Sequence, residues 1–140
     1  MTEPAIMLRK VALLREQVAR LRRRRPPAPD ALVKDVDLQD AIAMSLLVAV
    51  QSALDIALHL ASDRGWGLPA TYAESFKILE REGVLTATTA GSLANMATLR
   101  NRIAHGYASV DFARIWEELP VGIDSLDRFA AAVAPMIKAP

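Results

Sequence analysis

At 140 residues, just over half of them apolar, the chain has single-domain length and enough apolar side chain for a hydrophobic core. It holds no cysteine, which excludes disulfides, thiolate metal sites and thiol nucleophiles, and only two histidines, far apart in sequence, which argues against a zinc site. Net charge is +1, but residues 1–25 carry eight basic and two acidic side chains against nine basic and fourteen acidic in the remainder, so one end is suited to polyanions or acidic protein surface.

Helical spacing dominates from the start. Met7, Val11, Leu14, Val18 and Leu21 form a narrow apolar seam on a basic first helix, 5–25, which Pro26-Pro27 ends. The seam suits either a bundle or a second subunit. Arginines up to Arg20 read as solvated charge near a helix end. The run Arg22–Arg25 fits nucleic acid, an acidic partner or plain solvation equally. Asp30 is placed to cap a short helix through Val36, and Asp37 a long helix to about Asp63. The long helix has a core stripe of Leu46, Leu47, Val50, Leu54, Leu58 and Ala61. Its polar stripe is Gln51, Ser52, Asp55, His59 and Ser62. The apolar stretch Ile42 to Leu60 is interrupted by Gln51, Asp55 and His59, and the N-terminus shows no signal segment, so a cytoplasmic protein without a membrane span is expected.

Gly65 suits a left-handed helix end before the loop Trp66-Gly67-Leu68-Pro69. Thr71 with Glu74 has the pattern of a capping box for a third helix, through Phe76 and Leu79 to about Gly83. A fourth helix runs from about Thr88 to His105 with Leu93, Met96, Leu99 and Ile103 inward. Asp111 opens a short helix reaching Leu119 at most, because Pro120 follows. A last helix from about Gly122 carries Leu126, Phe129 and Val133, and Pro135 ends or kinks it. The expectation is one all-α domain over 1–140, an antiparallel bundle of about five main helices. Trp66 and Trp116 read as packing residues.

Arg100-Asn101-Arg102-Ile103-Ala104-His105-Gly106-Tyr107 concentrates the polar chemistry of the chain. On a helix, Asn101 and His105 share a face, so the amide can orient the imidazole. Arg100 and His105 are five apart, a rotation of about 140°. Either the helix ends at His105 and Gly106 reverses the chain, bringing Tyr107 back, or two copies meet across a dimer. The residue types suit phosphate-ester chemistry: histidine exchanges protons, and arginine binds phosphate through a fork of donors. RNA supplies its own 2′-hydroxyl nucleophile, so no metal or cofactor is required. By spacing alone, an Arg-x-x-x-x-His match is more often surface decoration, with Tyr107 a packed helix-end aromatic. Asp55 and His59, four apart, suit a structural polar pair or a supporting shell around His105.

The motif Arg100-Asn101-x-x-x-His105-x-Tyr107 resembles the signature of HEPN-domain ribonucleases, in particular the HepT (DUF86) toxin family. The flanks agree in order and spacing: Leu54-Asp55-Ile56-Ala57-x-His59-Leu60, Gly65-x-Gly67-x-Pro69, Tyr72-x-x-Ser75-Phe76, Gly83-Val84-Leu85 and Asn101 through His105. The resemblance covers roughly Leu38 to Phe129. It implies a HEPN-type homodimer acting as a metal-independent RNA endonuclease, with Arg100 and His105 catalytic and Asn101 and Arg102 supporting them. It also implies a partner, an MntA-like nucleotidyltransferase antitoxin that transfers AMP to Tyr107 and so blocks the site. Two features depart from the family: the Arg22–Arg25 run, and Gln51, where many relatives are acidic. The rival readings are a HEPN module that binds a nucleotidyltransferase or RNA without cleaving, and a purely structural helical dimer, which leaves the cluster unexplained.

Overall fold

Six α-helices account for most of residues 3–137, the part of the chain described by a computed structural model. Residues 1–2 and 138–140 of the expected domain lie outside the described residues. The helices are α1 (Pro4–Arg24), α2 (Pro29–Val33), α3 (Val36–Asp63), α4 (Glu74–Arg81), α5 (Ala87–Gly106) and α6 (Phe112–Val133). Among the described residues there is no strand, as expected of an all-α bundle.

The central element is α3, which packs against all five other helices, and most extensively against α1. Its length and hydropathy match those of a membrane-spanning helix, yet 61% of the apolar window is buried inside the bundle. Its polar positions bond to α1 and α5, as a core helix requires. The seam of α1 is buried from Met7 to Leu21 against α3 and α6, so it belongs to the bundle and not to a second subunit. Leu93, Met96, Leu99 and Ile103 of α5 are likewise buried.

Several caps differ from expectation. Asp35, not Asp37, caps α3, its carboxylate accepting from Leu38 N at 3.0 Å. Asp30 lies inside the first turn of α2 and makes no cap, because Pro29 already occupies the opening position. Thr71 does not close a capping box: α4 starts three residues later, and Glu74 reaches back to the Ala70 N–H at 3.0 Å. Thr86 and Asp111 cap α5 and α6. Gly65 (φ 67°) and Gly83 (φ 78°) end α3 and α4 in the left-handed region. Trp66 N and Val84 N then return to the carbonyls of Ala61 and Leu79, both at 2.8 Å.

The largest departure is at Pro120. The two short C-terminal helices expected from the sequence are one helix, α6, with Pro120 inside it. Proline has no N–H for the carbonyl four residues earlier, here that of Trp116. This carbonyl is satisfied from outside: Arg25 Nε donates to it at 2.9 Å. The same guanidinium lies 4.0 Å from the centre of the Trp116 ring, and the indole Nε1 donates to Pro26 O at 2.8 Å. Arg22 pairs with Asp124 at 3.3 Å and with Asp127. Half of the arginine run is therefore structural, holding the end of α1 on α6.

Candidate functional site

Arg100 leaves α5 toward α3 and meets two neutral amides. Its Nη2 donates to Gln51 Oε1 at 2.7 Å and its Nη1 to Asn101 Oδ1 at 3.0 Å. Gln51 passes its own Nε2–H to Asp55 Oδ1 at 2.9 Å, one helical turn along α3. The other oxygen of Asp55 faces Lys10 Nζ of α1 at 3.4 Å. A chain of contacts thus runs Lys10–Asp55–Gln51–Arg100–Asn101 across three helices.

The electrostatic result is specific. The Asp55 carboxylate is compensated by Lys10 and separated from Arg100 by a neutral amide. Arg100 is oriented but keeps its full charge, and a guanidinium with five N–H donors has about three left for a ligand. The side chain is half-buried at its base, which limits the entropy lost on binding.

His105 occupies the last turn of α5, exposed, with no hydrogen bond to another described residue. The expected Asn101–His105 bond is not formed; the Asn101 oxygen instead accepts from Arg100. The expected Asp55–His59 pair is not formed either: Asp55 bonds to Gln51 and Lys10, and half-buried His59, one turn along α3, makes no hydrogen bond to another described residue. Ser52 drops out of the polar stripe, buried with its hydroxyl on Val48 O at 2.8 Å. Arg102 turns to the opposite side of α5, where it lines a groove of ≈ 400 Å³ with Arg114, Glu117 and Glu118 of α6. It does not join the Arg100 network.

Gly106 ends α5 at φ −152°, outside the left-handed region, and the chain continues as one 3-10 turn, Tyr107–Ser109. The turn does not fold Tyr107 back onto Arg100 or His105. Instead the phenol donates its hydrogen bond to Asp40 Oδ1 of α3. Its ring packs edge-on against Phe112, at 5.9 Å and 88°. Partial burial, then the hydrogen bond and charge of Asp40, push its pKa up to about 12.

Gln51, Asp40 and Lys10 are the site residues that sequence reasoning missed. The first two had a signal. Asp40, Gln51 and Asp55 are spaced by eleven and four residues, which puts them on one face of a single helix. Since Arg100 meets Gln51 and Tyr107 meets Asp40, the two polar contacts form successive rungs between antiparallel α3 and α5. Exposed Met44 lies between them on the same face of α3. Among the described residues, no three His, Asp or Glu side chains come together as a metal-binding group.

Comparison with known proteins identifies the family and the fold. A family model described as "Ribonuclease HepT-like" matches residues 4–133. The chain is 24% identical over 96 residues to the mRNA nuclease HepT of Shewanella oneidensis, covering 69% of this chain and 72% of that protein. It is 31% identical over 88 residues to a protein of Archaeoglobus fulgidus named as an RNase, covering 63% and 66% of the two chains. A solved structure of a tri-AMPylated S. oneidensis HEPN toxin in complex with MNT antitoxin superposes with a TM-score of 0.84 at 20% identity, covering 96% of this chain and 99% of that one.

Proposed function

Because the chain belongs to the HepT-like ribonuclease family, we propose that it is the toxin of a HEPN/MNT toxin–antitoxin pair, a cytoplasmic homodimer that cleaves RNA without a metal ion. The observation that carries this reading is Arg100, held by Gln51 and Asn101 yet unneutralised, at the head of a motif whose histidine is exposed and unengaged among the described residues.

In this mechanism Arg100 binds the scissile phosphate and stabilises the charge that develops on its oxygens. The RNA 2′-oxygen attacks the adjacent phosphorus, and the bond to the 5′-oxygen of the next nucleotide breaks. The 2′-hydroxyl proton leaves to a base and the departing oxygen gains one, and His105 carries one of these transfers. Asn101 orients Arg100. Arg102, on the far side of the helix, contributes positive field and not a contact within the network. On α5 the Arg100 and His105 side chains diverge by about 140°, so the site is completed by a second copy. The exposed Met44 between the two rungs is part of the surface that copy covers.

The partner is a minimal nucleotidyltransferase of MNT type, which silences the toxin by transferring AMP from ATP to Tyr107. Support comes from the position of that phenol, partly exposed at the end of the catalytic helix. A bulky anion there excludes RNA phosphate by occupancy and by like charge.

The test is RNA cleavage in EDTA by wild type, Arg100→Ala and His105→Ala, each shown to be folded. Activity lost in both variants supports the proposal, and equal activity in all three refutes the enzyme. For the partner, intact mass is measured after incubation with ATP and the nucleotidyltransferase encoded beside the chain. An AMP increment that survives Tyr107→Phe would exclude Tyr107 as the acceptor.

A further inference from the structure

The Tyr107–Asp40 contact is not explained by RNA cleavage. Asp40 is exposed, lies three helical turns from Gln51 and touches none of the Arg100 network. An exposed carboxylate gains little stability from a single phenol. Yet its oxygen is aimed at the one atom that must lose a proton if Tyr107 is to become a nucleophile.

We propose that Asp40 is the catalytic proton acceptor for nucleotidylation of Tyr107, so that this chain supplies both the nucleophile and its base while the partner supplies the nucleotide. This rests on the reading of Tyr107 as the modified residue. In the step, Tyr107 Oη attacks the α-phosphorus of a nucleoside triphosphate held by the partner. The bond from that phosphorus to the β-phosphate oxygen breaks and pyrophosphate leaves. The phenolic proton passes along the existing hydrogen bond to the Asp40 carboxylate.

Three observations support the assignment. The phenol holds its proton far above neutral pH, pushed up to about 12, so phenolate is scarce and the proton must be removed during attack. Among the described residues, Asp40 is the only side chain that hydrogen-bonds to the phenol. His105, two residues earlier, makes no bond to Tyr107, and Asp111 is engaged by the N–H groups of Ala113 and Arg114 at 3.1 and 3.2 Å. Phe112 packs edge-on against the ring and the hydroxyl donates to Asp40, so the phenol is held with its proton on that carboxylate. The product is also consistent: once esterified, Tyr107 has no proton to donate, and its phosphodiester is repelled by Asp40. The modified ring is thereby released from α3.

The experiment compares wild type, Asp40→Asn and Asp40→Glu with the nucleotidyltransferase and Mg-ATP, following single-turnover AMP incorporation by mass from pH 6.5 to 8.5. Partner affinity is measured in parallel. Asp40→Asn keeps the acceptor oxygen and the shape but cannot take the proton. A general base contributes about 10²–10⁴-fold, so the rate should fall about a hundredfold or more with affinity unchanged. The residual rate should rise tenfold per pH unit, as phenolate supply requires, where wild type is flat. Asp40→Glu should recover much of the loss. A merely electrostatic role predicts the opposite sign, since removing a negative charge should speed attack on an anionic triphosphate. An Asp40→Asn rate equal to wild type, or a slower rate with a wild-type pH profile, overturns the proposal and leaves Tyr107 as the target. A wild-type chain that gains no AMP at Tyr107 instead overturns the regulatory reading on which the proposal rests.

Discussion

Replacing Arg25 tests whether an arginine outside the helix repairs the proline inside it. Arg25→Ala strands the Trp116 carbonyl, which Pro120 cannot serve, and removes the guanidinium from the indole face. An unsatisfied, partly buried carbonyl costs about 1–3 kcal/mol, and a partly exposed cation–π contact adds about 0.5–1 kcal/mol. A loss of about 2–3 kcal/mol lowers Tm by roughly 6–10 °C for a domain of this size. Pro120→Ala restores the missing N–H and should stabilise by about 1–2 kcal/mol, less than the usual helix-interior penalty because the carbonyl already has a donor. In that background Arg25→Ala should cost only about 1 kcal/mol, because the carbonyl is now served from within α6. Urea unfolding of the four chains, followed by circular dichroism, gives the coupling, expected at about 1–2 kcal/mol. Substitutions that add within about 0.3 kcal/mol would refute the repair.

Gln51→Glu would place a carboxylate on Arg100 and neutralise the charge meant for phosphate. RNA cleavage should fall about tenfold and RNA affinity with it, the equivalent of about 1.4 kcal/mol, and an unchanged rate would show that the charge of Arg100 is not used. Absorbance titration at alkaline pH, in a Tyr72→Phe background, should place Tyr107 near 12, with Asp40→Asn moving it down. Since the folded value lies above the ordinary phenol value of 10.0, this group's share of stability is complete below pH 10 and is lost between pH 10 and about 12. A midpoint at the ordinary phenol value would contradict the contact with Asp40. Within the run Arg22–Arg25 only Arg23 and Arg24 lack a partner among the described residues, so an RNA contact from this run is expected of those two. Replacing both with Gln should flatten the slope of log affinity against log salt by about 1.4–1.8, whereas Arg22→Gln should lower Tm and leave the slope unchanged.

What was legible in the sequence follows from which forces are local. The apolar seams of α1, α3 and α5 and the glycine ends at Gly65 and Gly83 were readable because burial and left-handed backbone leave a mark within one or two turns. The capping errors at Asp35 and Glu74 are shifts of two or three residues among several competent polar side chains, and tertiary packing makes that choice. Pro120 was misread for a different reason. A break in the backbone ladder is local, but its remedy, Arg25, lies 95 residues earlier and was visible only as one of four arginines. The motif residues Arg100, His105 and Tyr107 were legible, yet their partners Gln51, Asp40 and Lys10 were not. Nothing in the spacing along α3 says which face meets α5. Gln51 in particular gains its meaning only from that meeting: an amide where an acid was expected orients Arg100 without cancelling its charge.

The same geometry narrows how a cleavage site can be assembled. The sequence left two routes for uniting Arg100 with His105: a reversal at Gly106, or a second copy. Gly106 does not reverse the chain, and Tyr107 is carried off to Asp40. The two side chains therefore remain about 140° apart on one helix, and in the proposed dimer it is the second copy that would bring them to one phosphate. In a two-fold dimer each site then takes Arg100 from one protomer and His105 from the other. Mixing inactive Arg100→Ala chains with inactive His105→Ala chains, under conditions that allow exchange, should restore activity. Half of the dimers are mixed, and each holds one intact site of two, so about a quarter of wild-type activity is expected. If each site lay within a single chain, every mixed dimer would be dead, and the mixture would be as inactive as its parts.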